Sequence, residues 1–506
     1  MPTDPAAWKQ TQREETPVCG ALGLADDQVG TADRPRESCG IFGVFGCSQA
    51  ARKTYHGLWA MQHRGQESAG IVTSDGEEIR SKKGLGLLSE AIRYGELGDL
   101  PGHIAIGHVR YSTTGAKRVQ NIQPLVIEYS RGIVAIAHNG NLTNARMLRR
   151  RYESRGSIFQ TSTDSEVIVH LLADPVHIYS RDPLAASLQE VQGAYSLLIL
   201  GPDSLVAVRD PLGFRPLSIA ELDGGYVFAS ETCAFDLLGA RFIRDVAPGE
   251  IVSIGEGGLE SRRFAEAGGR GAQCIFEHIY FARPDSIVFG DTVHNVRVRL
   301  GESLAATHPA DADVVVSVPA SGDSAAIGYS RRSGIPLDRG FVGNRYVGRT
   351  FIQPAEEGRS ESVQVKLNVV RDVVRGKRVV VVDDSIVRGT TCRGRLSMLR
   401  QAGARELHLR ISAPPIRFPC FCGIDFPHAD ELIAADHSVA EIRDFLGVDT
   451  LGYQTIEGLL SAVSGPPERY CLACFAGEYP VEIEEDMDKL AMERGSRERA
   501  KEPQKR

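Results

Sequence analysis

The chain has 506 residues, 42% of them hydrophobic and 24% charged, which is the composition of an ordinary soluble globular protein and excludes disordered, collagen-like and coiled-coil classes. The formal net charge is −7, so the chain lacks the basic character of most nucleic-acid-binding proteins, and no apolar run is long enough to span a membrane. The length predicts two or three domains. The first ten residues do not resemble a secretory signal, so we expect a cytoplasmic protein.

The first part of the chain predicts a leader followed by an α+β domain. Residues 1–38 are polar and charged, with no sustained hydrophobic period, and predict a flexible leader. Residues 39–268 contain short β-like runs, interrupted by helical stretches near 50–63 and 164–174, which favours antiparallel sheet with helices. The β-like runs are CGIFGVFG, GIVTS, HIAIGHVRYS, GIVAIAHNG, AYSLLILG, SLVAVRD and YVFAS.

The second part, residues 269–480, predicts an α/β domain that follows a glycine-rich linker. From Ala310 onwards, nearly continuous apolar runs alternate with helical segments, as is typical of buried parallel strands. These runs are VVVSVP, RVVVVDD, LHLRISAPP and ELIAAD. Residues 481–506 predict a charged C-terminal tail.

The most specific local pattern is VVVVDDSIVRGTT, from Val379 to Thr391. Its valines predict a buried strand, and Asp383 and Asp384 fall at the carboxyl end, where open parallel sheets bind ligands. The Ser/Gly/Thr loop that follows enters a helix and offers N–H groups to a phosphate, while paired carboxylates suit a sugar diol or Mg²⁺. The alternative interpretation is an ordinary strand-to-helix turn with capping residues.

This pattern resembles the phosphoribosyl-pyrophosphate (PRPP) motif of type I phosphoribosyltransferases. The resemblance implies that the acidic pair binds the ribose hydroxyls and metal, and that the following loop binds the 5′-phosphate. The implied PRPP-binding residues of this segment are Asp383, Asp384, Ser385, Arg388, Gly389, Thr390 and Thr391.

A second resemblance begins at Cys39. The segments SCGIFGVFG, QHRGQESAG, GHVRYSTTG, AHNGNLTN and TSTDSEV together resemble the class II glutamine amidotransferases, whose fold is an αββα sandwich with an N-terminal cysteine nucleophile. The resemblance implies that Cys39 becomes the nucleophile once residues 1–38 are removed, with its own α-amino group as the base. Cys19 also precedes a glycine, but no matching strand follows it, so Cys39 is favoured.

The same resemblance assigns roles around the cysteine. The Asn139 side chain and the Gly140 N–H would form the oxyanion hole, which stabilises the charge of the tetrahedral intermediate. Arg110 would bind the α-carboxylate of glutamine and Asp164 its α-ammonium group. Arg64 and either Thr113 or Thr114 would line the pocket. Taken singly, each of these residues also fits a salt bridge or a turn.

A glutaminase followed by a phosphoribosyltransferase resembles the amidophosphoribosyltransferases, which convert glutamine, PRPP and water to 5-phosphoribosylamine, glutamate and pyrophosphate in the first committed step of purine synthesis. EHIYFARPDS resembles the inter-domain signature of that family, and VVVSVPASGDSAA resembles its pyrophosphate loop, with Ser321 as an implied Mg²⁺ ligand beside Asp383 and Asp384. GNRYVGRTFIQP to VKLN resembles its mobile loop. The charges expected to meet phosphates there are Arg345, Arg349 and Lys366.

This resemblance also implies one Mg²⁺ per subunit, feedback by purine nucleotides, and a homotetramer without nucleic-acid or membrane partners. Two positions depart from the family pattern: Ala320 stands where many relatives have an acidic residue, and Gly343 where a lysine is usual. The alternatives are a glutaminase fused to a different acceptor domain, a PRPP-sensing regulator and an inactive paralogue. The PRPP motif argues against the first, and the glutaminase motifs argue against the second.

Ten cysteines occur, and Cys471 and Cys474 form a Cys-x-x-Cys pair. Together with Cys274 and Cys420, they offer four soft ligands, whose spacing alone does not choose between zinc and an iron–sulfur cluster. One branch of the amidophosphoribosyltransferases has both a cleaved leader and a [4Fe–4S] cluster, and the resemblance to it implies that these four cysteines bind one cluster per subunit. Cys422 is a nearby competitor.

Overall fold

The computed structural model describes residues 39–111, 119–265, 270–343, 367–424 and 429–483. Several residues with predicted roles lie outside these ranges: the leader 1–38, most of the tail 481–506, Thr113, Thr114, Arg345, Arg349 and Lys366.

Residues 39–265 form two antiparallel sheets. The strands are β1 Gly40–Phe45, β2 Ser68–Ser74, β3 Ile79–Leu85, β4 Ile104–Arg110, β5 Leu125–Tyr129, β6 Gly132–Leu142, β7 Gly193–Leu200, β8 Leu205–Arg209, β9 Ser218–Leu222, β10 Gly225–Ala229, β11 Arg241–Asp245, β12 Glu250–Gly255 and β13 Gly258–Arg263. One sheet has the order β11-β9-β10-β1-β4-β2-β3, and the other has the order β13-β12-β8-β7-β6-β5. The first strand after the predicted leader therefore lies inside its sheet, between β10 and β4.

Helices cover the outer faces of both sheets. The α-helices are α1 Ala50–Ala60, α2 Leu88–Ala91, α3 Ala145–Ser154, α4 Ser165–Ala173, α5 Pro175–Ile178, α6 Pro183–Leu188 and α7 Cys233–Leu238, and 3₁₀ turns occupy Gln62–Arg64, Tyr94–Asp99 and Val119–Asn121. Ile106 and Leu198 belong to an apolar core shared by the two sheets, whereas Leu58 and Ile168 belong to separate cores beneath the helices. The layers are therefore helix, sheet, sheet, helix, and the predicted αββα sandwich is confirmed.

Residues 270–483 are built around a parallel sheet. The strands are β14 Gln273–Cys274, β15 Ile287–Val288, β16 Asp291–Thr292, β17 Val314–Ser317, β18 Phe341–Gly343, β19 Leu367–Val369, β20 Arg378–Asp383, β21 Glu406–Ile411, β22 Thr450–Tyr453 and β23 Tyr470–Cys471. The parallel order is β17-β20-β21-β22, which confirms the predicted α/β class. Alternate valines of β20 belong to different apolar cores, as expected when both faces of a strand are covered.

Helices and turns complete this half. The α-helices are α8 Val293–Thr307, α9 Asp323–Ser333, α10 Arg371–Val374, α11 Thr390–Gln401, α12 Ile433–Asp436, α13 Val439–Leu446, α14 Ile456–Ser461 and α15 Ala473–Ala476, with a π-helical turn at Glu277–Phe281 and 3₁₀ turns at Ala429–Glu431 and Pro467–Arg469. The start of α13 has a local cause, since the Ser438 hydroxyl accepts a hydrogen bond from Glu441 N at 3.3 Å. Among the described residues, no helix has the length and apolar character needed to cross a bilayer.

One predicted strand is wrong. The run ELIAAD contains helix α12 rather than a parallel strand, and the fourth strand of the sheet is β22. Ile433 and Ala434 are buried all the same. A short apolar run can be buried as a helix or as a strand, so its hydrophobicity did not distinguish the two.

The inter-sheet core yields a stability prediction. Leu198 on β7 is fully buried between the sheets, and we expect Leu198→Ala to lower the free energy of unfolding by about 2–5 kcal/mol, because it removes apolar contacts and leaves a cavity. Urea unfolding monitored by fluorescence would measure the loss. Leu237→Ala is the matched control, since Leu237 is 56% exposed, and it should change stability by less than about 0.5 kcal/mol. Equal effects of the two substitutions would contradict the prediction.

Candidate active site

Cys39 lies immediately before β1, where the chain enters the first sheet. Its side chain is buried, and Sγ donates to the Tyr111 carbonyl at 3.5 Å. Burial raises the pKa of the Cys39 thiol above its usual value, while the positive charges of Arg110 and Arg64 act in the opposite direction. The negative charge of Asp164 also acts on this thiol. The two predicted glutamine-binding residues of opposite charge therefore lie near the predicted nucleophile.

Asn139 and Gly140 lie on β6, in the opposite sheet. Asn139 is fully buried, and its Nδ2 donates to the Ser230 hydroxyl at 3.4 Å. The same hydroxyl accepts a hydrogen bond from Ile41 N, at 3.1 Å, on the strand that follows Cys39. Ser230, which no sequence motif singled out, thus joins the predicted oxyanion strand to the nucleophile strand.

Gly140 occupies a position that excludes a side chain. Its φ is +154°, and a Cβ there would lie 1.9 Å from the Ala194 carbonyl oxygen on β7. Any other residue would have to shift the pairing of β6 with β7. This explains physically why the predicted oxyanion segment carries a glycine at this position.

Asp164 is ordered and ionised. Its Oδ2 accepts from Leu142 N at 2.9 Å, and its Oδ1 lies 3.7 Å from His138 Nδ1. Burial alone would raise its pKa, but His138 and the backbone donors outweigh burial and lower the pKa of Asp164. The residue therefore offers a buried negative charge, which suits the predicted contact with an ammonium group.

Arg64 belongs to a buried ion-pair group beside Cys39. Its guanidinium is fully buried and forms ion pairs with Glu231 at 2.6 Å and Glu277 at 2.8 Å, and its part in lining a glutamine pocket stays a prediction. Its Nε donates to the Cys39 carbonyl at 3.1 Å. Arg64 therefore binds the main chain of Cys39 with one donor, while its other donors bind the two buried carboxylates that balance its charge.

This ion-pair group extends further, and no sequence motif singled out its members Glu231 and Arg215. Glu277 also pairs with Arg215 at 3.2 Å, and Glu231 accepts from the Ser286 hydroxyl at 2.7 Å. Neighbouring cations lower the pKa values of both glutamates against the opposing effect of burial, so both are ionised. Glu277 opens the EHIYFARPDS segment, and that motif was the one sequence signal that pointed towards this junction.

The acidic pair lies where the sequence predicts it. Asp383 ends β20, inside the parallel sheet, and the Ser321 hydroxyl donates to its Oδ1 at 3.3 Å. Arg395 of α11 donates to its other oxygen at 3.3 Å, and the Ser385 hydroxyl donates to Asp384 Oδ2 at 2.5 Å. The structure thus places the Ser321 hydroxyl beside Asp383, with Asp384 next in the chain, and carboxylate and hydroxyl oxygens are the hard ligands that Mg²⁺ prefers.

The predicted phosphate loop leads directly into α11. Gly389 has φ +82° just before the helix, and Thr390 and Thr391 begin the helix. The N–H groups of the first helical turn therefore lie next to this loop, where such groups can bind a phosphate. Arg388 forms an ion pair with Glu431, and both side chains are about one quarter exposed. Its predicted contact with PRPP would therefore compete with this pair.

The four predicted cluster ligands line one small pocket between the two halves, which we call the cysteine pocket. Cys274 of β14 and Cys471 of β23 are neighbours in a two-stranded parallel ladder, and Cys474 follows on α15. Burial raises the pKa of each of these three thiols, and neighbouring thiols raise it further. The pocket is lined by Phe214, Cys274, Phe276, Cys420, Phe421, Cys422, Ile424, Cys471, Ala473, Cys474 and Tyr479.

The donor chemistry of the cysteine pocket suits a group that is bound by thiolates. Five cysteines line an otherwise apolar pocket, and Cys422 is among them. Cysteine thiolates are the usual ligands of iron–sulfur clusters. Within the described ranges, no three His, Cys, Asp or Glu side chains stand close enough together to hold one metal ion. The cluster therefore stays a prediction.

Comparisons with known proteins agree on one family. Residues 108–236 match the glutamine amidotransferase domain family. The chain is 50% identical over 455 residues to the amidophosphoribosyltransferase of Bacillus subtilis, covering 89% of this chain and 95% of the relative. The chain belongs to the amidophosphoribosyltransferase family. A relative from Archaeoglobus fulgidus is 48% identical over 453 residues, covering 88% of this chain and 98% of the relative.

Solved structures of amidophosphoribosyltransferases share this fold. A structure described as glutamine PRPP amidotransferase from B. subtilis complexed with ADP and GMP superposes with a TM-score of 0.84 at 49% identity, covering 89% of this chain and 99% of that chain. Another, described as the allosteric regulatory enzyme of purine biosynthesis, has a TM-score of 0.84 at 50% identity and covers 88% of this chain and 97% of that chain. Both halves of the molecule therefore have the arrangement of the family.

The buried thiol of Cys39 gives a pH prediction. In the chain that retains residues 1–38, the rate of alkylation of Cys39 by iodoacetamide should rise with a midpoint above the value of about 8.5 for an ordinary thiol, because only the thiolate reacts and burial disfavours it. Peptide mass spectrometry across about pH 7–10 would measure the rate. The urea-unfolded chain should show the ordinary midpoint, and a native midpoint at or below it would contradict the prediction.

Proposed function

We propose that this chain transfers the amide nitrogen of glutamine to C1 of PRPP, which yields 5-phosphoribosylamine, glutamate and pyrophosphate. The identity of about half of all residues with amidophosphoribosyltransferases, across both halves, carries this proposal. The product would enter purine biosynthesis, the pathway in which one structural relative is described as a regulatory enzyme. No feature of the described residues favours the alternative of a glutaminase fused to a different acceptor domain.

The glutaminase half-reaction would use the residues around Cys39. The Cys39 thiolate attacks the amide carbon of glutamine, and the Asn139 amide and Gly140 N–H stabilise the resulting oxyanion. Ammonia leaves as the tetrahedral intermediate collapses to a γ-glutamyl thioester, which water hydrolyses to glutamate. Arg110 and Asp164 would orient the substrate by its α-carboxylate and α-ammonium groups.

The transferase half-reaction would use the carboxyl end of the parallel sheet. Ammonia attacks C1 of PRPP and displaces pyrophosphate with inversion, while Asp383 and Asp384 hold the ribose hydroxyls. The loop from Ser385 to Thr391 would hold the 5′-phosphate at the start of α11. Mg²⁺, bound near Ser321 and the two carboxylates, would supply charge neutralisation for the leaving group. A closed path between the two sites would keep ammonia from water.

We also propose the leader-processed, iron–sulfur subtype. Cys39 has a free α-amino group only if residues 1–38 are removed, and that amine would serve as its base. Cys274, Cys420, Cys471 and Cys474 would hold a [4Fe–4S] cluster in the cysteine pocket, as supported by their convergence on one cavity. The cluster would supply a structural cross-link between β14, β23 and α15.

The remaining expectations follow from the family. One structural relative is described as a complex with ADP and GMP, which supports purine nucleotides as regulators of this chain. A homotetramer and a cytoplasmic location belong to the same proposal. The departures Ala320 and Gly343 would affect phosphate or nucleotide affinity.

The catalytic proposal predicts a separation of nitrogen sources. Cys39→Ala should abolish pyrophosphate release with glutamine and preserve it with ammonium chloride, because only the first route needs the thiol. Pyrophosphate release from PRPP and Mg²⁺ would be measured in both cases, and intact mass would show whether the protein begins at Cys39. Cys47→Ala, at a cysteine whose thiol donates to the Leu222 carbonyl, is the control and should keep both activities. Release with neither source in the native protein would indicate an inactive paralogue.

The cluster proposal predicts a brown protein. After anaerobic purification, the native chain should contain about four iron atoms per chain and absorb in the visible range. Cys471→Ser should lose most of this iron, whereas Cys233→Ser, at a buried cysteine outside the pocket, should retain it. A colourless anaerobic preparation that contains zinc would contradict the proposal.

A further inference from the structure

A continuous set of buried hydrogen bonds joins the cysteine pocket to Cys39. The Cys422 carbonyl accepts from Arg215 Nη2 at 2.9 Å, and Arg215 Nη1 lies 3.2 Å from Glu277 Oε1. The Glu277 carboxylate accepts from Arg64 Nη1 at 2.9 Å and Nη2 at 2.8 Å. Arg64 Nε then donates to the Cys39 carbonyl at 3.1 Å. The connection thus runs from the lining of the pocket to the main chain of the proposed nucleophile.

The members of this set have little freedom to move independently. The side chains of Arg64 and Glu277 are fully buried, and that of Arg215 is 1% exposed. Separating any charged pair would leave an uncompensated charge away from water, which is strongly unfavourable. Gly423 lies close to the guanidinium, since a Cβ there would lie 2.7 Å from Arg215 Nη2. If the main chain moves at Cys422 or at Cys39, the neighbouring side chain of the set must move with it to keep its charge paired.

A second hydrogen bond links the same loop to the oxyanion strand. Asn141 Nδ2 donates to the Phe421 carbonyl at 2.8 Å, and Asn141 lies on β6, two residues after Asn139. The adjacent carbonyls of Phe421 and Cys422 thus bind two different parts of the glutaminase half. One contact leads to the nucleophile and the other to the oxyanion strand.

We propose that Arg215 is a positioning residue for the glutaminase half-reaction, which fixes Cys39 relative to the loop that carries Cys420 and Cys422. The geometry of the cysteine pocket then determines the reactivity of Cys39. This inference rests on the proposed function of Cys39 as the nucleophile. Because coupling between two sites is reciprocal, a group bound covalently to Cys39 also stabilises the cysteine pocket.

Arg215→Lys tests the first direction. Lysine keeps the positive charge but lacks the fork of donors that binds Glu277 and the Cys422 carbonyl together. In the processed protein, glutamine-dependent kcat and the rate of Cys39 labelling by a diazoketone analogue of glutamine should both fall about tenfold or more, because small displacements of a nucleophile are costly. The ammonia-dependent rate should stay unchanged. Arg410→Lys is the control: Arg410 is also buried, but it donates to carbonyls of the parallel-sheet half.

The second direction has a readout that a merely structural residue would not change. In the native protein, labelling of Cys39 should slow amide hydrogen exchange in the loop that carries Cys420 and Cys422 by about fivefold or more. In Arg215→Lys, the same labelling should leave that rate unchanged. The exchange is followed by peptide mass spectrometry of residues 415–424, which does not require free pocket thiols.

Native-like labelling of Cys39 in Arg215→Lys, or the same protection of this loop in both proteins, would overturn the inference. If Arg215→Lys does not fold, Glu277→Gln keeps the side-chain dimensions, removes the central charge and carries the same expected changes. Glutamine hydrolysis by Cys39→Ala would instead overturn the proposed function of Cys39. If the native protein hydrolyses glutamine through Cys39 but Arg215→Lys does so equally fast, only the role of Arg215 is contradicted.

Discussion

The burial of Arg64 is the constraint on which the arrangement of the two halves depends. A guanidinium removed from water costs several kcal/mol unless opposite charges and hydrogen bonds surround it. Glu231 and Glu277 supply those charges, and Arg215 balances the second glutamate. Arg64 and Glu277 are 213 residues apart in the chain, so the pairing requires that the glutaminase half and the inter-domain segment fold against one another.

This constraint reaches the proposed catalytic cysteine directly. Arg64 holds the Cys39 carbonyl, and Ser230 joins the strand after Cys39 to Asn139 in the opposite sheet. The αββα sandwich brings the two strands face to face, which places the proposed nucleophile and the proposed oxyanion residues, from different sheets, near one another. Strand pairing alone would not produce this arrangement, since neither strand is a neighbour of the other within a sheet.

The cysteine pocket lies at the same junction. Cys274 is held to the glutaminase half by the hydrogen bond of its N–H to the Phe214 carbonyl at 3.1 Å, while its ladder partner Cys471 comes from near the end of the chain. A group bound there would cross-link segments that are remote in sequence and would restrict their relative movement. The pocket and the buried ion pairs therefore lie at one junction, and a group bound in the pocket would add a second kind of interaction to the ion pairs.

Features that depend only on the order of neighbouring residues were predictable before the structure was known. The valines of β20 specify a strand buried on both faces, and the residues after it must follow at its carboxyl end, so Asp383, Asp384 and the helix start at Thr390 were predictable. The motifs near Cys39, Asn139 and Asp164 were identified through their joint resemblance to the class II glutamine amidotransferases. The family resemblance then supplied their expected chemistry.

Features that depend on partners far along the chain became visible only in the folded molecule. The run ELIAAD could be buried as a strand or as a helix, and the folded structure contains the helix. The ion pairs of Arg64 could not be predicted, because its carboxylate partners come from two distant segments of the chain. The roles of Ser230 and Arg215 have the same origin. Local sequence patterns specify the strand, helix or loop that carries a side chain. The packing of the two halves determines which charges and carbonyls that side chain contacts.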